Sequence, residues 1–164
     1  MKPPRSELAY ATLLTYCPRG NTDAIRDAKN FVLMLKENRA GRATGETASA
    51  RVARRLRERD DVAEVVEFLD PASEDRPKAR THLESLSLAD PLALPAKITL
   101  IDDVVTRGAQ LFGAAWKIWS VRPDIDVRAF AVVRTISEPA HFSALAAPRI
   151  GRIEWRDEEC FRRP

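Results

Sequence analysis

Cysteine and histidine are scarce in this chain, two of each in 164 residues. Cys17 and Cys160 are too few for a disulfide framework or a cysteine-built zinc site, so the sequence predicts a protein of the reducing cytoplasm. Cys17, beside Pro18 and Arg19, is expected to be a buried, inert thiol rather than a reactive one. His82 and His141 have no metal-ligand spacing with cysteines or acids and are expected at the surface. Long apolar runs are missing as well. Segments 31–35 and 129–133 fall far short of the roughly 20 residues that cross a bilayer, and the start at Met1-Lys2-Pro3-Pro4 leads into no apolar signal region. Glycine is sparse, and neither G-x-G-x-x-G nor a P-loop lysine motif occurs. There is no internal repeat and no low-complexity tract.

What is present is an ordinary globular mixture, 45% hydrophobic and 31% charged, which excludes a disordered or fibrous chain. A chain of this length buries about two-thirds of its unfolded surface. One domain over residues 1–164 is therefore expected. Lysine and arginine exceed aspartate and glutamate by 27 − 24 = +3. Most of the basic residues are arginines, whose planar forks suit phosphate oxygens, whether those of a small ligand or of nucleic acid.

Residues 8–16 form a β-compatible run that ends at the turn signal Cys17-Pro18-Arg19-Gly20-Asn21. Ile25, Ala28, Phe31, Val32 and Leu35 then recur at helical spacing. A second helix is predicted from Ala48, Val52 and Leu56, with Arg51, Arg54, Arg55, Arg57 and Arg59 on its other face. Residues 62–69 read as a strand stopped by Asp70-Pro71. A polar, proline-rich segment of about 70–95 reads as a long loop, and such loops are commonly functional. Residues 98–101 form a short buried-type strand, followed by an apolar-faced helix with Leu111, Phe112, Ala115, Trp116, Ile118 and Trp119. Trp116 and Trp119 are expected in the core or a subunit contact rather than stacked on bases. Further strands are predicted at 127–133 and 150–155. Alternating strands and helices argue for an α/β fold, a three-layer sandwich with a mainly parallel central sheet. Ligands of such sheets bind at the carboxyl ends of the strands.

The chemistry concentrates after residue 101. Two acids, Asp102 and Asp103, precede two valines, and Thr106-Arg107-Gly108-Ala109-Gln110 opens a helix. A loop turning into a helix gathers unpaired amide N–H groups at the positive end of the helix dipole, where a phosphate is favoured. The acids would repel that phosphate but suit hydroxyl groups or a metal-bound sugar. The combination calls for a sugar phosphate. Acid pairs at strand ends also occur in receiver-type domains and magnesium-dependent phosphatases, or serve only as helix-cap features.

Residues 98–109, Ile-Thr-Leu-Ile-Asp-Asp-Val-Val-Thr-Arg-Gly-Ala, resemble the phosphoribosyl pyrophosphate (PRPP) motif of type I phosphoribosyltransferases. Residues 130–135 are similar to the strand after that motif in the competence factor F type of the family. The resemblance implies that Asp102 and Asp103 form the catalytic pair holding the ribose hydroxyls. It implies that Thr106, Arg107, Gly108, Ala109 and Gln110 wrap the 5′-phosphate, and that Arg19 and Gly20 belong to a pyrophosphate loop. The 70–95 segment becomes a closing loop in which Arg76, Lys78 or Arg80 meets the leaving pyrophosphate. The resemblance further implies that Mg²⁺ arrives with PRPP rather than on dedicated protein ligands, that the acceptor is a nucleobase, and that the protein is a homodimer. Gln110 departs from the threonine or serine usual in the family, and Thr99 interrupts the apolar strand. An alternative of another class is a non-catalytic binding module that keeps the phosphate cradle and engages a nucleic acid or protein through the arginine face of residues 51–59. That face reads equally as a solvated helix surface.

Overall fold

The computed structural model describes residues 2–37, 51, 54–55, 58, 79–86 and 94–164. The expected strand at 62–69 and most of the arginine-rich segment lie outside the described residues. The fold is α/β. Strands β1 (Glu7–Tyr16), β2 (Lys97–Val105), β3 (Asp126–Thr135), β4 (Arg149–Arg156) and β5 (Glu159–Arg163) form one sheet in the order β2-β3-β1-β4-β5. Helices are α1 (Asp23–Glu37), α2 (Ala79–Ser85) and α3 (Ala109–Val121). No helix among the described residues is long and apolar enough to cross a membrane.

The sheet is mixed, not mainly parallel. β2, β3 and β1 run parallel, whereas β4 is antiparallel to β1 and β5 antiparallel to β4. The reversal enters where β4 pairs antiparallel to β1, and it is extended by a β4–β5 hairpin that the sequence does not advertise. Its two-residue loop is Asp157-Glu158, with φ of 53° and 62°, where such turns usually carry asparagine and glycine. β5 is consequently an additional element, and the 150–155 strand becomes the middle of a β1-β4-β5 meander.

α1 begins at Thr22, whose Oγ1 accepts the Ile25 N–H at 3.3 Å and so caps the first turn. Its Ile25, Ala28 and Val32 are buried at i, i+3, i+7 spacing and close an apolar patch separate from the main core. The main core lies under α3. That helix buries Leu111, Phe112, Ala114, Ala115, Trp116, Ile118 and Trp119. It is apolar nearly all round because the sheet covers one side and α2 another, with Ala79, Leu83 and Leu86 belonging to the same cluster. The segment expected as a continuous loop therefore contains a helix. Ala79, Leu83 and Leu86 recur at i, i+4, i+7, a pattern masked in sequence by the surrounding prolines and charges.

Trp116 and Trp119 are core residues. Trp155 of β4 stacks on Phe112 at 6.0 Å and meets Trp116 edge-on at 5.1 Å. The buried Trp119 Nε1 donates to Ile125 O at 3.2 Å, which ties the end of α3 to the start of β3. Arg122 closes the same corner on Asp124 through two bonds of 2.9 and 2.8 Å, and this guanidinium holds the exposed Asp124 carboxyl down at about 2. Both cysteines are buried and free. Burial, with Glu159 adding to it, pushes the Cys160 thiol up to about 12.

Candidate functional site

The carboxyl ends of β1, β3 and β2 lie side by side, and every described residue that the sequence reading assigned to the PRPP site, apart from Arg80, lies at or just beyond one of them. β2 is longer than the four-residue strand expected and runs through both acids to Val105. Asp102 pairs in register with Ala131, and Ala131 with Thr12. Asp102 Oδ1 accepts the Asp103 N–H at 2.8 Å, and Asp103 Oδ1 accepts the Val104 N–H at 2.7 Å. Both acids are partly buried, so each carboxylate is anchored to the backbone rather than free in water.

From Val105 the chain turns through Thr106 and Arg107 to Gly108, which precedes α3 with φ 86° and ψ 15°. A side chain is disfavoured there by that left-handed conformation. It is also disfavoured by contact, because a Cβ on Gly108 would fall 2.4 Å from Ile153 Cδ1. The close approach that requires glycine is thus to β4, not only to a ligand. Thr106, Arg107 and Gln110 are exposed and Ala109 is half-buried. α3 leaves its first amides without partners within the helix, as any helix does.

Beside this turn lies an open hollow of about 270 Å³ lined by Thr106, Arg107, Glu159, Cys160, Phe161 and Arg162. Its far wall is β5, so an element absent from the sequence expectation borders the candidate phosphate loop. Arg107 Nη1 is 3.8 Å from Glu159 Oε2. Arg162 Nη1 donates to Val105 O at 2.9 Å and its Nη2 to Thr135 O. In hydrogen-bond order β5 and β2 are opposite edges of the sheet. The contacts of Arg162 with β2 and of Ile153 with Gly108 show the sheet coiled until that edge returns to the β2–α3 turn.

Arg19 is exposed, and Gly20 adopts φ 89° at the end of β1, where a Cβ would lie 2.9 Å from Ile25 Cδ1. Lys29 Nζ donates to Gly20 O at 3.1 Å, drawing α1 onto this turn. Arg80 lies on α2 and pairs with Glu84 at 3.2 Å, one turn away. Arg76 and Lys78 lie outside the described residues. Of the arginine face, Arg54 and Arg55 are exposed and both pair with Glu58, at 3.4 and 3.0 Å, while Arg57 and Arg59 lie outside the described residues. His141 is exposed in a single 3₁₀ turn, Pro139–His141.

Three arginines missed by the sequence reading stand at the same end of the sheet: Arg134, Arg149 and Arg162. Arg134 sits in the strand that carries the family resemblance, but nothing in its spacing marks it, and Arg162 is one of two adjacent arginines in a charge-balanced stretch, 156–164. Compared with known proteins, the chain matches no family model, no curated protein and no solved structure.

Proposed function

We propose that the protein binds PRPP or a related ribose 5-phosphate at the carboxyl ends of β1, β3 and β2. On this reading it transfers the phosphoribosyl group to a nitrogenous base with release of pyrophosphate. The finer fold assignment, a three-layer type I phosphoribosyltransferase-like domain, belongs to the same proposal. The observation that carries it is the turn from β2 into α3. Two backbone-anchored carboxylates lead, within five residues, to a left-handed glycine and the amino end of a 13-residue helix. Anion at the helix end and polyol at the acids is the ligand polarity that this order supports.

The residues are suited to a metal that arrives with its substrate. Mg²⁺ keeps several waters and takes only one or two carboxylates alongside phosphate oxygens. Asp102 and Asp103 supply that number. When bound, the ion would neutralise charge developing on the departing pyrophosphate. The chain's own part is positional. Asp102 and Asp103 accept hydrogen bonds from the ribose hydroxyls. Thr106 and the first amides of α3 hold the 5′-phosphate, with Arg107 adding charge after leaving Glu159. The base nitrogen then bonds to C1 as the C1–O bond breaks, and its electron pair leaves on pyrophosphate.

Calorimetric titration with PRPP and Mg²⁺ tests the site. Wild type should bind, and Asp102→Asn and Asp103→Asn should each lose about tenfold or more in affinity, the range for a charge-assisted hydrogen bond. Pyrophosphate release with a panel of bases then tests turnover. No binding by the wild type at millimolar PRPP refutes the reading.

A second reading is a binding module without turnover, favoured by the Arg107–Glu159 pair across the hollow and by the use of Gly108 for packing on Ile153. PRPP binding without pyrophosphate release would support it. Salt-sensitive binding of DNA or RNA that weakens in Arg54→Ala/Arg55→Ala would assign the partner to the arginine face.

A further inference from the structure

Most surface arginines among the described residues are matched with acids, as Arg26 with Asp23, Arg122 with Asp124, Arg128 with Asp126, Arg152 with Glu7 and Arg163 with Glu154. The three at the carboxyl end of β3 are not. Among the described residues, no carboxylate forms an ion pair with Arg134, Arg149 or Arg162, although Arg134 and Arg162 are partly buried. Their partners are neutral. Arg162 donates to the last carbonyl of β2 and the last carbonyl of β3, and Arg134 Nε donates to the buried Thr15 Oγ1 at 2.9 Å. The Thr15 hydroxyl in turn donates to Ala147 O at 3.2 Å, two residues before Arg149. Arg149 lies opposite Thr12 in the β1–β4 register. Thr12 is 2% exposed, and its Oγ1 has no hydrogen-bond partner.

Gathering like charges into a half-buried place is costly when nothing of opposite sign compensates them. Burial pulls the Arg134 and Arg162 guanidinium pKa values down, and Arg149 and Arg134 respectively add to this by repulsion. The buried Tyr10 phenol is close enough to both to be felt, and burial raises its own pKa, so at neutral pH it is a hydroxyl donor and not a counter-anion. The three cations gather at the end of the sheet where α/β ligands bind.

We propose that Arg134, Arg149 and Arg162 form a binding site for a compact polyvalent oxyanion of the phosphate or pyrophosphate class. Planar guanidinium forks match such an anion in pairs. The site uses no residue of the 102–110 stretch, so it holds whether or not the chain handles PRPP. Arg162 also ties the ends of β2 and β3 together, so occupancy of the site stiffens the turn that leads to Gly108.

The test is titration of the full chain with inorganic pyrophosphate in EDTA, read by calorimetry and by thermal shift. Wild type should bind, with affinity falling as salt is raised. Arg134→Gln and the exposed Arg149→Gln should each weaken binding about tenfold or more, the size of a lost charge-assisted contact. Arg128→Gln and Arg152→Gln, at exposed arginines paired with Asp126 and Glu7, should leave it unchanged. Because Arg149 is exposed, its variant reports on binding even if Arg134→Gln folds poorly. Absence of binding by the wild type at millimolar pyrophosphate overturns the proposal. So does binding that survives Arg149→Gln but is lost in Arg107→Gln, which would put the anion at the β2–α3 turn.

Discussion

Gly108→Ala is the sharpest probe of how the β2–α3 turn is built. The substitution adds one methyl group at φ 86°, with its carbon 2.4 Å from Ile153 Cδ1 and 2.7 Å from Cγ1. A left-handed conformation costs an L-residue about 1–2 kcal/mol. Forcing a methyl into a packed contact costs a further 1–3 kcal/mol or so. Ile153 is fully buried, so it has little freedom to yield. The expected loss is about 2–5 kcal/mol, and at roughly 2–4 °C per kcal/mol for a chain of this size the Tm should fall by about 4–20 °C. Urea unfolding followed by tryptophan fluorescence gives the free energy directly. Ile153→Val removes the nearest atom, so in the double variant the two losses should sum to about 1 kcal/mol more than is observed, the steric share being relieved while the backbone share remains. A Gly108→Ala protein within about 0.5 kcal/mol of wild type, the range of an ordinary surface change, would refute both the backbone and the packing argument.

Three further outcomes follow from the same geometry. Replacing Asp157-Glu158 with Asn-Gly places residues that favour positive φ in the β4–β5 turn, and thermal denaturation should show a gain of about 0.4–1 kcal/mol; a loss would mean that the hairpin is not a two-residue turn. Trp119→Phe removes the donor to Ile125 O and one of two fused rings from a buried site, so chemical denaturation should show a cost of at least about 1–3 kcal/mol, the lost bond and the void adding together, with no cost counting against both. The Cys160 thiol stands at about 12 against a usual 9.0, so above pH 9 the unfolded chain releases a proton that the folded chain keeps. Stability should therefore fall as pH rises from about 9 towards 12 and be unaffected by this group below 9. Alkylation at pH 9 should label Cys160 only after unfolding, and rapid labelling of the native protein would contradict its burial.

Local chemistry determined much of this protein from sequence alone. The periodicity of Ile25, Ala28 and Val32 and the apolar run of residues 111–119 mark α1 and α3, because burial of a helix face imposes a 3.6-residue repeat wherever the chain sits. Asp102 to Gly108 was legible as a strand-to-helix turn for a similar reason, since a left-handed bend before a helix needs glycine. The tertiary structure decided what those residues meet. β5 could not be read because its turn uses Asp157 and Glu158, and only pairing with β4 holds them at positive φ. α2 was hidden because three apolar residues in a charged segment become a helix only when α3 offers them a surface. The meeting of Arg134, Arg149 and Arg162 depends on a coiled sheet that returns its last strand to its first edge. Side-chain periodicity is a property of neighbours in the chain, whereas charge clustering across 28 residues, from Arg134 to Arg162, is a property of the folded sheet.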